Sequence, residues 1–228
     1  INYDGLKSQT YGGTTFLVHA AVGGSMAPAD FGIGGGWGGL RVTKNFVNRF
    51  TDTNDKRGNF YTQGQSLEIN DLGDFKNGYA FIKYKNVTST GVSGSDKSGV
   101  FVDTDLPLYR LSDVYLMYAE ATLRGGNGSL STALGYINAL KTRAGAATIS
   151  SGDLTLNFIL DERSRELSWE FTRRTDLIRF GLFTSSTYLW PWKGGVKDGK
   201  GVEDYRNLFP IPANDIVANR NLVQNPGY

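Results

Sequence analysis

The chain has 228 residues, of which 39% are hydrophobic, enough for one large domain or two small ones. Its 24 basic and 22 acidic residues nearly balance, so the net charge of +2 gives no reason to expect nucleic acid as a partner. Cysteine is absent and His19 is the single histidine, which excludes disulfides, thiolate chemistry and metal sites built from several histidines.

Glycine and aromatic residues dominate the first part of the chain. Residues 1 to about 40 alternate short apolar runs with glycine pairs and a triplet at 34–36. Glycine inside a helix costs about 1 kcal/mol relative to alanine, so this pattern predicts loops with at most short strands. A short helix is predicted over 43–50 with Thr43 as N-cap, and a strand over 78–87.

The segment 51–58 contains Asp52, Asn54 and Asp55, whose oxygens are the ligand type that calcium prefers. The twelve-position calcium loop with its closing glutamate is missing. We therefore expect a simple turn and no cofactor, with a structural calcium ion as the weaker alternative.

Helical periodicity begins at Arg110. Apolar residues at helical spacing continue to about 121, GGNG at 125–128 breaks the helix, and Ser129 or Ser131 can cap the next one. Gly145 ends that second helix. The two form a helical hairpin that resembles one tetratricopeptide unit, and such a unit needs neighbours to bury its face. We expect it to pack on helices outside this chain, with the helix predicted from residue 156 covering part of the face.

A long, highly charged helix is predicted over 156–180, ending at Gly181. Glu162, Glu166 and Glu170 recur every four residues and would share one face. Glutamates and arginines three or four apart can pair on a helix surface. The predicted structural ion pairs involve Glu162, Arg165, Glu166, Glu170, Arg173, Arg174, Asp176 and Arg179.

Paired glutamates also permit a second interpretation, a glycoside hydrolase. Side chains four apart on a helix have Cβ atoms about 5–6 Å apart, close to the carboxyl separation of retaining glycosidases, roughly 5–5.5 Å. Arginines crowd the same stretch, and they lower carboxyl pKa values, whereas a general acid needs a raised pKa. We therefore favour ion pairing for Glu162 and Glu166, and no enzyme activity.

Four ordered motifs resemble the SusD/RagB family, the surface glycan-binding lipoproteins of Bacteroidota. They are GGGWGGLRVTKNFVNRF at 34–50, RLSDVYLMYAEA at 110–121, ILDERSRELSWEFTRRTDLIRFG at 159–181 and NLFPIPANDIVANRNLVQNPGY at 207–228. The resemblance implies a mainly α, SusD-like fold with a tetratricopeptide-like hairpin, a long helix, and extensive irregular loops with short strands.

Within that fold we expect one domain with three regions, 1–107, 108–181 and 182–228. Family members begin with an export signal, a lipid-bearing cysteine and a helical half, so this chain looks like their C-terminal half and the N-terminal half becomes an expected partner. The resemblance further implies a lipid-anchored protein on the outer face of the outer membrane. It would bind an oligosaccharide or polysaccharide without catalysis and act with a SusC-like TonB-dependent transporter.

Loop aromatics are the candidate ligand-binding residues, because exposed rings can stack on the C–H faces of sugars. They are Tyr3, Tyr11, Phe31, Trp37, Tyr188, Trp190 and Trp192. The alternative is packing on the helical core. Two other functions stay open at this point: peptide uptake, known for some members of the family, and a scaffold whose hairpin binds a protein.

Overall fold

The computed structural model describes all residues, Ile1–Tyr228, and they form two compact units, Ile1–Arg173 and Arg174–Tyr228. Seven α-helices and one two-stranded sheet confirm the predicted mainly α class. The helices are α1 (Gly13–Ala20), α2 (Lys44–Val47), α3 (Leu111–Leu123), α4 (Leu130–Ala144), α5 (Leu156–Glu166), α6 (Arg173–Arg179) and α7 (Ala213–Ala218). No helix is both long and apolar enough to cross a membrane.

Helices α3 and α4 form the predicted hairpin and pack with α5 around one core. The Ser129 hydroxyl accepts from the Thr132 N–H at 3.4 Å and caps α4, and Gly145 ends the helix with φ 77°. The fully buried side chains of this core include Leu116, Ile137 and Ile159. Burial of each such side chain contributes about 1.5–3 kcal/mol to the free energy of unfolding. Core burial therefore stabilises the hairpin, and the caps fix the ends of α4.

The prediction of one long helix over 156–180 is wrong. Helix α5 ends at Glu166 and α6 begins at Arg173, because Trp169 and Phe171 lie in the left-handed region with φ 58° and 62°. Only glycine adopts this region without cost, so the residue pattern gave no sign of a break here. Tertiary contacts compensate: Leu167 is buried in the helical core, and the Trp169 ring meets the Phe81 ring edge-on at 5.3 Å.

The prediction of loops without helices over residues 1–40 is also wrong. Leu17 and Val18 of helix α1 are buried. Val18 belongs to a second core with Val22, Phe31 and Val102. Burial of this face outweighs the cost of the flanking glycines. Gly13 is required there, since it has φ 59° and an added Cβ would lie 1.7 Å from the Tyr3 hydroxyl.

The strand predicted over 78–87 is much shorter than expected. Strand β2 (Ala80–Phe81) pairs antiparallel with β1 (Phe60–Tyr61), with Phe60 opposite Phe81. Helix α2 is likewise shorter than predicted, and Thr43 occupies its N-cap position without a side-chain capping bond. Aromatic rings instead hold this region, with Phe46 edge-on to both Phe60 and Phe81.

One face of α3 is apolar and exposed to solvent. Leu111, Val114 and Met117 follow one another at helical spacing and are 62%, 49% and 47% exposed. Their opposite face, with Leu116 and Ala119, is fully buried. We call Leu111, Val114 and Met117 the α3 stripe. An apolar stripe of this kind usually marks a contact surface.

Candidate functional site

Four aromatic side chains form an exposed surface in the unit Ile1–Arg173. The Trp37 ring lies 6.3 Å from the Tyr11 ring and 6.1 Å from the Phe16 ring, and the Tyr11 ring lies 5.1 Å from Phe101. Tyr11, Trp37 and Phe16 are 62%, 46% and 45% exposed. We call Tyr11, Phe16, Trp37 and Phe101 the aromatic patch.

The backbone around Trp37 fixes the position of its ring. The Trp37 N–H donates to the His19 carbonyl at 2.8 Å. Gly36 packs against the backbone of Val22, just after α1. A Cβ added to Gly36 would lie 2.2 Å from the Val22 carbonyl oxygen, so only glycine fits. Trp37 is therefore held by a tight turn against the end of α1.

His19 lies beneath the patch and supports it. Its ring stacks on Trp37 at 4.8 Å with 23° between the planes, and its Nδ1 lies 2.7 Å from the Gly35 carbonyl oxygen. A carbonyl only accepts, so Nδ1 carries the proton. His19 is 3% exposed and its Nε2 has no hydrogen-bond partner. This is the environment of a packing residue, not of a catalytic base.

The seven candidate aromatic residues do not lie at one site in the structure. Tyr11 and Trp37 meet in the aromatic patch. Phe31 was a wrong choice, because it is 5% exposed in the core, where the Lys85 ammonium lies 4.8 Å from its ring. Tyr3 is half-buried beside Gly13.

The remaining three candidates lie in the unit Arg174–Tyr228. The Trp190 ring is 6.4 Å from the Tyr188 ring and 6.2 Å from the Phe183 ring. Trp192 has φ 69° at the start of a short 3₁₀ turn, Lys193–Gly195. All three candidates are partly buried, so they combine packing with some exposed ring surface.

Sequence reasoning missed Phe16 and Phe101 as members of the patch. Phe16 could have been found, since on a helix it falls on the face opposite to Val18. Phe101 carries no such signal, because it meets Tyr11 across ninety residues of intervening chain.

Buried charges connect α5 to three other segments. The Glu166 carboxylate is 1% exposed and accepts from Arg57, Arg110 and Arg143. Burial alone would raise the pKa of Glu166, but the hydrogen bonds and charges of Arg110 and Arg143 outweigh it and lower the pKa to about 2. Glu166 is therefore ionised at neutral pH and unsuited to act as a general acid.

Glu162 belongs to the same network. It accepts from Arg57 at 2.7 Å and from Arg165, three residues away, at 2.8 Å. Asp55 holds Arg57 from the other side at 2.7 Å. Burial would lower the pKa of Arg57, yet its hydrogen bonds to Asp55 and Glu162 raise it overall. The predicted turn at 51–58 thus delivers an arginine to the buried glutamates.

Outside α5 the partners differ from those that helical spacing suggested. Glu170 bonds Lys83 and Arg110, from distant segments. Arg173 donates to the Leu160 carbonyl at 2.8 Å, and Arg174 donates to the carbonyl of Arg206 at 2.8 Å. The break between α5 and α6 is the reason, since Glu170 no longer shares a helical face with the arginines that follow. Asp176 and Arg179, both in α6, pair at 2.8 Å.

The acidic residues of the 51–58 turn bind protein donors. Asp52 accepts from the N–H groups of Asn54 and Ala147 at 2.9 and 2.7 Å. These two backbone bonds, the Ala147 bond first, lower the pKa of Asp52. Asp55 is bonded to Arg57. The carboxylates at this turn have structural partners within the chain.

Comparison with known proteins places the fold. Residues 58–228, well over half of the chain, match the family model described as the SusD family. The chain belongs to the SusD family. A crystal structure of a SusD superfamily protein from Bacteroides vulgatus superposes with a TM-score of 0.60 at 26% identity, covering 90% of this chain and 44% of that one.

Two curated relatives of this SusD-family chain show how much of a family member it represents. The starch-binding protein SusD of Bacteroides thetaiotaomicron is 41% identical over 164 residues, 72% of this chain and 28% of the relative. SusD-like protein P2 of Formosa agariphila is 29% identical over 252 residues, 100% of this chain and 47% of the relative. The chain thus spans less than half the length of either relative.

The family assignment agrees with a non-enzymatic protein. The starch-binding relative is named for binding and not for a reaction. In this SusD-family chain the two glutamates of α5, Glu162 and Glu166, form ion pairs with arginines, which is consistent with a binding protein. Three residues of the aromatic patch, Tyr11, Phe16 and Trp37, precede residue 58, where the match to the family model begins.

Proposed function

We propose that this chain is the glycan-binding part of a cell-surface SusD-family protein, which binds an oligosaccharide or polysaccharide without catalysing a reaction. The observation that carries the proposal is the aromatic patch, in which Tyr11, Phe16 and Trp37 expose their rings beside one another. Membership of a family with a starch-binding relative supports a saccharide as the ligand.

The patch has the chemistry that sugar recognition needs. Pyranose rings present flat C–H faces, and contact with aromatic rings removes apolar area of both partners from water. Covering about 100 Å² of apolar area contributes roughly 2.5 kcal/mol. The Trp37 indole N–H makes no hydrogen bond within the chain, so it is available to a sugar hydroxyl.

The same magnitudes make a single site weak. Association costs about 4–15 kcal/mol in lost translational and rotational freedom, so a few stacked rings give modest affinity for one short saccharide. A polymer with many repeats gains by rebinding and by contacting several sites at once. Weak stacking without catalysis is consistent with a protein that holds a polymer and then releases it.

We further propose the setting in which such binding is useful. A lipid anchor in a part of the protein outside these residues would hold it on the outer face of the outer membrane. A SusC-like TonB-dependent transporter would receive the saccharide. Both proposals rest on the family assignment alone, and co-purification of the full-length protein with its transporter from outer membranes tests them.

Affinity electrophoresis tests glycan binding by the patch. Gels cast with starch, inulin, xylan, mannan, pectin or host-type glycans should include one that retards the chain. Trp37→Ala and Tyr11→Ala should abolish that retardation. Tyr109→Ala is the matched control, since Tyr109 is 85% exposed and outside the patch. All three variants should keep the circular-dichroism spectrum of the parent.

Two outcomes would contradict the proposal. Retardation that Trp37→Ala and Tyr109→Ala weaken equally would mean that the patch is not the site. No retardation by any polymer, together with binding of extended peptides in fluorescence titration, would assign the patch to peptide uptake instead.

A further inference from the structure

A concave surface lies within the unit Arg174–Tyr228. It is a cleft of about 550 Å³, lined among others by Arg174, Trp190, Lys193, Lys200, Arg206 and Phe209. We call it the C-terminal cleft. Its size is in the range of ligand-binding pockets, about 300–1,000 Å³. Its lining differs from that of the aromatic patch because it carries many positive charges.

Arg174 is fixed in the cleft without a neutralising carboxylate. It donates to the carbonyls of Arg206, Asn207 and Leu208 at 2.8, 3.1 and 3.4 Å. Its guanidinium lies 3.9 Å from the Phe209 ring and 4.9 Å from the Phe183 ring. Carbonyl oxygens and ring faces stabilise the cation, but they are neutral and leave its full charge in the cleft.

Lys193 repeats this arrangement. Its ammonium donates to the carbonyls of Ser185, Tyr188 and Leu182 at 2.5, 2.8 and 3.4 Å, and it lies 4.5 Å from the Trp190 ring. The residue is 3% exposed, and burial lowers the pKa of Lys193. An ammonium with neutral partners only is stabilised by a nearby anion, so this site favours an anionic ligand.

Lys200 and Arg206 have charges that a ligand can reach. The Lys200 stem covers Gly194, with Cγ 2.7 Å from where a Cβ would lie, and its exposed ammonium makes no hydrogen bond or ion pair within the chain. Arg206 pairs with Glu203 at 3.1 Å, and both side chains are at least half exposed. Such surface pairs are weak and exchange partners readily.

The charge count of the lining supports an anion. Four cationic side chains, Arg174, Lys193, Lys200 and Arg206, face one anionic side chain, Glu203, which leaves three positive charges. An α-carboxylate on Tyr228 would reduce the excess to two. Clefts lined by one sign of charge concentrate ligands of the opposite sign. Trp190, Phe209 and Tyr228 add ring surface to the same walls.

We propose that the C-terminal cleft binds an anionic sugar residue, with its carboxylate or sulfate between Lys200, Arg206 and Arg174 and its ring against Trp190 or Phe209. The anionic part of this inference depends on the cleft alone. The saccharide part rests on the proposed function. The aromatic patch takes neutral sugar faces, so the two sites select different features of a ligand.

Isothermal titration calorimetry of the whole chain at low salt tests the cleft. The probes are trigalacturonate, its fully methyl-esterified form, a sulfated galactose disaccharide and triglutamate. Trigalacturonate or the sulfated sugar should bind and the ester should not, and the two anionic sugars distinguish a carboxylate site from a sulfate site. Binding should weaken as salt rises, because added ions screen these charges.

Charge-removing variants locate the site. Lys200→Gln and Arg206→Gln should each weaken binding about tenfold, the effect of losing one hydrogen bond to a charged group. Lys197→Gln is the matched control, since Lys197 is an exposed lysine of the same loop and does not line the cleft. Lys200→Gln should leave retardation by the neutral polymer unchanged, which keeps this test separate from that of the aromatic patch.

Each of the remaining outcomes would overturn the inference. Equal affinity for the methyl ester and for trigalacturonate would show that charge plays no part in binding. Neither anionic sugar binding, or equal effects of Lys200→Gln and Lys197→Gln, would remove the cleft as the site. Triglutamate binding as tightly as trigalacturonate, with the same loss in Lys200→Gln, would replace the sugar by an acidic peptide.

Discussion

Glu166 shows how one residue can connect distant parts of this chain. Its carboxylate is 1% exposed and receives guanidinium groups from positions 57, 110 and 143. Each of these arginines comes from a different segment, so the carboxylate fixes the relative position of the segments. A carboxyl group that acts as a general acid on a sugar needs a raised pKa, whereas the pKa of Glu166 is lowered.

Removing the Glu166 charge should therefore cost stability and no activity. Glu166→Gln leaves three guanidinium groups, the largely buried Arg57 and Arg110 and the exposed Arg143, with one counter-charge fewer. Breaking a buried ion pair costs about 3–5 kcal/mol, which lowers Tm by roughly 6–20 °C in a chain of this size. Differential scanning calorimetry measures the loss, and Glu68→Gln, at a surface pair with Lys44, should change Tm little. Lost turnover of a glycan with unchanged Tm would contradict this role.

The same carboxylate predicts how stability depends on pH. The pKa of Glu166 in the folded chain is about 2, below its ordinary value of 4.5. A depressed pKa stabilises the folded state above pH 4.5, and this contribution disappears as pH falls from 4.5 to 2. Its full size is about 3 kcal/mol.

Urea unfolding at several pH values measures this dependence. The parent chain should lose stability steeply below pH 4.5, and Glu166→Gln should lose about 3 kcal/mol less across the same window. Parallel curves for the two proteins would show that Glu166 does not titrate as described.

The break between α5 and α6 is the main feature at the scale of elements. Phe171 has φ 62° and is 68% exposed, so its backbone is unfavourable for any residue with a Cβ while its ring contributes little packing. A substitution pair can separate these effects. Phe171→Ala removes the ring and keeps the Cβ, and Phe171→Gly removes both.

The sign of the difference between the two variants reports the local backbone. At a left-handed position Phe171→Gly should be more stable than Phe171→Ala by about 1 kcal/mol. In an uninterrupted helix glycine would instead be less stable than alanine by about 1 kcal/mol. Chemical denaturation of both variants measures the difference in stability. A glycine variant less stable than the alanine variant would support a single helix over 156–180 and contradict the break.

Local signals account for what the sequence could predict at this scale. The α3–α4 hairpin was found because its apolar spacing, the Ser129 cap and the Gly145 stop all lie within the elements they define. Helix α1 was missed because flanking glycines disfavour helices, whereas the decisive burial of Val18 depends on residues up to Val102. The left-handed positions 169 and 171 likewise depend on contacts that local pattern does not contain.

At the scale of the whole molecule, the family was predictable and the candidate site was not. Motifs from 34 to 228 sufficed for the family, because each is a local pattern that can be read directly from consecutive residues. Tyr11 and Trp37 could be named as candidates from composition, but their apposition with Phe101 depends on folding of the whole segment between them. The charges of the C-terminal cleft, such as Arg174 and Lys200, come together in the same way.

The α3 stripe makes a prediction about the full-length protein. Its three apolar residues are about half exposed or more, and the curated relatives are at least twice as long as this chain. We propose that another helix of the same polypeptide covers the stripe, as the hairpin's need for neighbours suggests.

Val114→Glu distinguishes a covered stripe from a free surface. In the 228-residue chain the change should alter stability by less than about 0.5 kcal/mol, because Val114 faces water there. In the full-length protein the same change would bury an unpaired carboxylate against apolar neighbours and should lower Tm by several degrees. Ala139→Glu is the matched control, because Ala139 is an exposed residue of α4 outside the stripe and the change adds the same charge. Equal, small effects of Val114→Glu in both proteins would mean that the stripe stays open to solvent.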